Sequence, residues 1–236
     1  EMGLLDPDEP RYDPCEGELA FGDRVFRCHH ATGHGELTLR QALTLSCDTF
    51  FYHLGLEVGI ANWTRYARTL GFGQPTGIDL ALGGDGEAGG LLPAREYYEK
   101  GGKWFKGIML NLAIGQGETL TTPLQVARYM GALAAGVLPR PYLLKNGERE
   151  NLSPPVQISA QTLDQIRSIL YDVVESPMGT GRRARIQDVG VAGKTGTAQN
   201  PHGDDHAWFV AFAPAETPRV ALAVLVENAG QGGEIA

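Results

Sequence analysis

Two short stretches hold residues whose types and spacing could do chemistry. In Lys194-Thr195-Gly196-Thr197, read as part of a strand, the lysine supplies a fixed positive charge and the threonine hydroxyls can hydrogen-bond a substrate carboxylate. The glycine lets a ligand lie against the strand edge like an added strand. Upstream, Ser46-Cys47-Asp48 falls where a helical segment should meet a bend or a second helix. Of the five serines in the chain, only Ser46 is followed two positions later by Asn or Asp. Taken singly, each stretch also has a plain structural reading, a solvated lysine on a surface strand and a serine capping a helix.

The elements that must position these residues are legible. "CEGELAFGDRVFRC" alternates about Gly22-Asp23 and reads as a short hairpin with Cys15 and Cys28 at its open end. Thr38 followed by Gln41 is a capping-box pattern, so a helix should start there and run toward "SCDTFFYHLG". Trp63, Ala67 and Leu70 keep helical spacing up to the stop signal "GFGQPTG", and the glycine-rich stretch from Gly83 to Gly90 reads as loop. Thr122-Pro123-Leu124-Gln125 is a second helix start, and Leu163, Ile166, Leu170 and Val173 mark an amphipathic helix over about 159–175. Met2, Leu4 and Leu5 ahead of Pro7 read as the tail of a helix. The last third holds three strands, "VGVAGKTGTAQ", "AWFVAFAP" and "RVALAVLVEN". The expected fold is therefore α+β, one domain over 1–236, with a mainly helical lobe over 1–189 and the three-stranded part of an antiparallel sheet over 190–228.

Composition narrows the function classes. A formal charge of -8, without a large cluster of Lys and Arg, argues against nucleic acid as a partner. No apolar run reaches the ~18 residues of a membrane span, so the 236 residues are expected to be soluble. Both ends, "EMGLL" and "GGEIA", read as cut.

Ser46-x-Asp48 followed far downstream by Lys194-Thr195-Gly196-Thr197 resembles, in chain order, the second and third motifs of the serine acyl-transferase set shared by penicillin-binding proteins and class A β-lactamases. "GHGELTLRQALTLSCDTFFYHLG", "LGFGQPTGIDL", "NLAIGQGETLTTPLQVAR", "GTGRRAR" and "VAGKTGTAQ" extend the likeness over nearly the whole chain. The chain resembles the transpeptidase domain of class B penicillin-binding proteins, the elongation-type penicillin-binding protein 2 group. Asp48 matches the form of the serine motif seen in that subgroup. The resemblance implies a D,D-transpeptidase on the periplasmic face of the bacterial inner membrane, cross-linking peptidoglycan stem peptides, acylated by β-lactams and paired with a membrane glycan polymerase. It implies that Ser46 and Lys194 line the proton-shuttling side, that Thr195 and Thr197 face the substrate carboxylate, and that the Thr197 N–H is one oxyanion donor.

The family's nucleophile belongs to a Ser-x-x-Lys motif, and none of the five lysines has a serine three positions earlier. The expectation is therefore a domain fragment, truncated at both ends, that does not carry out acyl transfer by itself. A noncovalent stem-peptide or β-lactam binding module is the first alternative. A different hydrolase, an esterase or a glycosidase using a carboxylate pair that includes Asp48, is the second.

Three cysteines leave one over from any single disulfide. One reading is a Cys15–Cys28 bridge closing the hairpin, with Cys47 a buried thiol. The other is one structural Zn²⁺ held by Asp13, Cys28, His34 and Cys47, an arrangement some members of the penicillin-binding protein 2 group resemble, with Cys15 able to replace Asp13. No cofactor is expected for catalysis. The run His202, Asp204, Asp205 and His206 reads as a solvated turn between strands.

Overall fold

The computed structural model describes residues 2–79, 86–102, 104–144, 153–230 and 232–235. Strands β1 (Glu18–Phe21) and β2 (Arg24–Arg27) form the N-terminal hairpin in antiparallel register, Phe21 opposite Arg24, with Gly22-Asp23 at its turn. Helix α1 (Leu39–Leu45) starts at Thr38 with the full capping box: the Thr38 hydroxyl accepts from the Gln41 N–H and the Gln41 side chain from the Thr38 N–H. Helix α2 (Asp48–Thr69) follows after a two-residue joint, interrupted at Gly59. The short helices α3 (Arg95–Lys100) and α4 (Ile108–Ala113) come next. Helix α5 (Pro123–Ala135) has Pro at its start and the Thr122–Gln125 box. Helix α6 (Ala160–Glu175) is capped by the Ser159 hydroxyl.

The chain then enters an antiparallel sheet of β3 (Ala192–Ala198), β4 (His206–Ala213) and β5 (Val220–Val226), in spatial order β3-β4-β5. A four-residue helix, α7 (Gly232–Ile235), packs on β3 and β4. The architecture is the α+β arrangement read from the sequence.

The main core lies where α5 and α6 meet the sheet. Phe212 of β4, Ala192 of β3, Met130 and Leu133 of α5, and Leu163 and Leu170 of α6 bury one another. A second core joins the hairpin to the α1–α2 joint through Cys15, Cys28, Leu37, Cys47 and Phe50. A third seats α4 against α2. There Gly55 is required, because a Cβ at this position would lie 2.4 Å from the Ala113 Cβ. On the sheet's edge strand β5, Val220, Leu222 and Val224 are exposed.

One local expectation is overturned. Residues 2–9 are irregular rather than the tail of a helix. Gly3 takes a positive φ of 66°, and the Asp6 carboxylate accepts the Asp8 N–H at 2.9 Å, closing a turn where helical hydrogen bonds would have been needed. Of the expected glycine-rich loop, residues 86–90 are irregular and Gly83 and Gly84 lie outside the described residues.

Candidate active site and thiol centre

The α1–α2 joint sorts three consecutive side chains. Ser46 caps α1 in the left-handed region, φ 58° and ψ 44°, a conformation that costs a non-glycine residue about 1 kcal/mol or more and that the surrounding packing must hold. The reversal sends Ser46 and Asp48 into a cleft of about 460 Å³ and Cys47 into the core, where it is fully buried. The other wall of the cleft is β3, which pairs with β4 along its inner edge and, among the described residues, with no strand along its outer one.

Lys194 joins the two walls. Its Nζ donates to Ser46 Oγ at 2.9 Å and to the Thr195 carbonyl at 3.0 Å, across 148 positions of chain. Burial pushes the Lys194 ammonium down to about 8, with the Asp48 charge acting in the opposite direction. A lysine lowered in this way and set against a serine hydroxyl is placed to exchange a proton with it. The Thr195 hydroxyl donates to Thr180 Oγ1 at 2.9 Å, and the Thr197 hydroxyl accepts the Gly232 N–H at 3.2 Å, which leaves its own proton free for a ligand. The Gly232 backbone approaches so closely that a Cβ there would fall 2.0 Å from the Gly196 carbonyl oxygen. The Thr197 carbonyl accepts from Gln116 Nε2 at 2.9 Å from the open side of the strand. A residue's N–H and C=O share one edge of a strand, so the Thr197 N–H also faces the cleft, the placement an oxyanion donor requires.

The shift at Lys194 has a measurable sign. Below about pH 8 the ammonium attracts a carboxylate ligand; above it the neutral amine does not. The affinity of the cleft for a peptide carboxylate should fall by about 3- to 10-fold between pH 7 and 9.5; Lys194→Met should remove the part centred near pH 8 and leave the part near pH 9 that belongs to His29, both read by titration calorimetry. Folding stability should rise from about pH 8 toward the ordinary lysine range, because there the unfolded chain holds a proton that the folded chain has released.

Asp48 is held from the hairpin side. The His29 N–H donates to Asp48 Oδ2 at 2.8 Å, and the His29 ring lies 3.5 Å from the same oxygen. Hydrogen bonding to Asp48, with help from Cys28, raises the imidazolium to about 9. Thr180, Gln116, His29 and Gly232 are site residues that sequence reasoning gave no role. Thr180 and Gln116 lie in the stretches "GTGRRAR" and "NLAIGQGETL", which could have pointed to them; nothing in the sequence marks His29.

Behind this wall Cys15, Cys28, His34 and Cys47 place one donor atom each within 4.8 Å of all the others. His34 Nδ1 lies 3.7 Å from Cys15 Sγ and 3.5 Å from Cys28 Sγ. Tetrahedral zinc with ordinary Zn–S and Zn–N bonds requires an S···N separation of about 3.6 Å, so the donor set fits that ion. Burial pushes His34 down, toward the neutral ring that ligates, while a hydrogen bond from Cys47 lowers Cys28 and raises Cys47. Asp13 does not join the group; its place in the candidate set falls to Cys15. The reason is local pairing: Cys15 exchanges two backbone hydrogen bonds with Gly35, at 2.8 and 3.0 Å, which sets its sulfur beside His34, whereas Asp13 is exposed. No disulfide joins the three sulfurs. Among the described residues, the run from His202 to His206 gathers no comparable group; His206 Nδ1 accepts the Asn228 N–H at 3.0 Å instead.

Comparison with known proteins identifies the family. The chain is 34% identical to the peptidoglycan D,D-transpeptidase MrdA of Haemophilus influenzae, over 97% of its own length and 39% of that protein's. Penicillin-binding protein 2 of Helicobacter pylori, solved in complex with MreC, superposes with a TM-score of 0.88 at 34% identity, covering 97% of this chain and 43% of that one. A chain from a structure on how a peptidoglycan synthase complex coordinates polymerization and crosslinking gives a TM-score of 0.82 at 30% identity, over 99% of this chain and 41% of that one. The family model of the penicillin-binding protein transpeptidase domain matches residues 3–236, nearly the whole chain: this chain belongs to the penicillin-binding protein transpeptidase family and is homologous to penicillin-binding protein 2.

Proposed function

We propose that the chain forms the substrate-holding walls of a peptidoglycan D,D-transpeptidase. The observation that carries the reading is the Lys194–Ser46 hydrogen bond, which joins the two motifs at one cleft. A stem peptide would lie along the open edge of β3 with its terminal carboxylate against the Thr195 and Thr197 hydroxyls and the Lys194 charge. The Thr197 N–H would stabilise the oxyanion, a contribution of about 3–4 kcal/mol for one such donor. Beside an attacking serine, Ser46 and Lys194 would help move that serine's proton to the leaving D-alanine amine and return a proton to the serine from the incoming amine.

The attacking serine is a separate matter. These 236 residues contain no Ser-x-x-Lys motif, so by themselves they bind stem peptides or β-lactams without forming an acyl-enzyme. Both binding walls nonetheless lie within the chain, which favours noncovalent holding over loss of all function. The test is intact mass after incubation with a β-lactam, alongside calorimetry. Saturable binding with unchanged mass is expected; a stoichiometric adduct overturns the inactive reading, and no binding overturns the cleft's assignment.

One structural Zn²⁺ would be held by Cys15, Cys28, His34 and Cys47, where it supplies a cross-link between the hairpin and the α1–α2 joint. No cofactor takes part in the chemistry. Relatives have been solved with MreC and in a peptidoglycan synthase complex. The protein containing this chain would likewise work beside a membrane glycan polymerase, on the periplasmic face of the inner membrane. Among the described residues, no helix is long and apolar enough to cross a membrane.

A further inference from the structure

Three consecutive residues, the last of β2 and the two after it, stand at one wall of the cleft. Arg27, Cys28 and His29 all border the cleft on the wall that also carries Asp48, and the Cys28 sulfur belongs in addition to the buried thiol group. The backbone is anchored on both sides of Cys28. The Tyr52 hydroxyl donates to the Arg27 carbonyl at 3.0 Å, and the His29 N–H donates to Asp48 at 2.8 Å. Both anchors belong to α2, so this piece of wall is fixed to the helix that follows Ser46.

The cations of the cleft differ in what they face. Lys194 is taken up by Ser46 and the Thr195 carbonyl, and the His29 ring lies beside Asp48. Among the described residues, the Arg27 guanidinium has no ion pair or hydrogen bond, although the chain as a whole carries a formal charge of -8. The carboxylates on the cleft are engaged elsewhere: Asp48 accepts from His29, and Asp205 accepts the Asn200 N–H at 3.3 Å. A guanidinium keeps its charge at every physiological pH and matches a carboxylate with paired donors. Arg27 is exposed at the rim of the cleft, and the backbone that carries it is held at two points, which fixes the position from which the guanidinium reaches.

We propose that Arg27 is a second anion-reading residue of the cleft, which binds a carboxylate on the stem peptide upstream of its terminal D-alanine pair. The proposal rests on the stem-peptide reading above and deepens it. The terminal carboxylate goes to Thr195 and Thr197; Arg27, on the other wall, selects acidic stems over stems whose upstream carboxylates are amidated.

The test uses two synthetic peptides, both ending in D-Ala-D-Ala, with the upstream glutamyl and diamino-acid carboxylates free in one and amidated in the other. Calorimetry on the unsubstituted chain at low salt should show the acidic peptide binding about 3- to 10-fold more tightly, with the preference shrinking as salt is raised. Arg27→Gln should bring the ratio of acidic to amidated affinity down to about one; Arg27→Lys should retain part of the preference. Unchanged circular dichroism and thermal midpoint confirm that this exposed position has not disturbed folding. Equal affinities on the unsubstituted chain, or a preference that survives in Arg27→Gln, overturn the proposal while leaving the stem-peptide reading intact. Failure of the unsubstituted chain to bind either peptide overturns that reading, and this one with it.

Discussion

Cys47→Ser is expected to eliminate one bound equivalent of zinc and to lower the thermal unfolding midpoint by roughly 8–16 °C. Cys47 is fully buried between Ser46 and Asp48, and its sulfur belongs to the four-donor group with Cys15, Cys28 and His34. A serine hydroxyl is a poor zinc ligand, and three remaining donors leave the ion open to water. Zinc held at about a thousand times its dissociation constant stabilises the native state by about 4 kcal/mol, and each kcal/mol is worth about 2–4 °C in a chain of this size. Metal analysis and a thermal melt with and without a chelator read both effects. Asp13→Ala should keep the zinc and Cys15→Ser should lose it, which separates the two candidate fourth ligands. Metal-free protein with two thiols fewer than expected under denaturing conditions would instead mean a Cys15–Cys28 disulfide.

Phe212→Ala should cost about 3–5 kcal/mol of folding stability, a large share of the roughly 5–15 kcal/mol of an ordinary domain. Phe212 is 1% exposed, pairs across the sheet with Ala192, and fills the space between α5 and α6. Truncation leaves a cavity that β4 cannot close without moving β3, and β3 carries Lys194 two residues beyond Ala192. Ligand affinity should therefore fall together with the urea midpoint. Val220→Ala, at 60% exposure on β5, should change stability by no more than about 0.5 kcal/mol. A loss below about 1 kcal/mol at Phe212 would show that the core between the helices and the sheet is not packed as described.

Much of the fold was legible because its signals are local. Thr38 with Gln41 and Thr122 with Gln125 act within one helical turn, and both boxes close as their spacing requires. The alternation of the hairpin and of the three later strands acts between neighbours in the chain. The misread helix ahead of Pro7 shows the limit of such signals. Three apolar residues suggested a helical face, but a left-handed glycine and an Asp6 turn decided the backbone.

The site divides along the same line. Residue order and type alone marked Ser46, Asp48, Lys194, Thr195 and Thr197, since the chemistry of each is carried in its side chain and each motif spans only a few residues. That Lys194 reaches Ser46, that Cys15 rather than Asp13 stands beside His34, and that Arg27 borders the cleft with no partner among the described residues were decided only by the tertiary structure. Each depends on segments far apart in the chain being brought within a few ångströms by the burial of Phe212, Cys47 and their neighbours. A one-dimensional spacing records which residues are present, but the apolar packing that brings distant segments together sets their distances, their charge partners and the shift of a buried lysine.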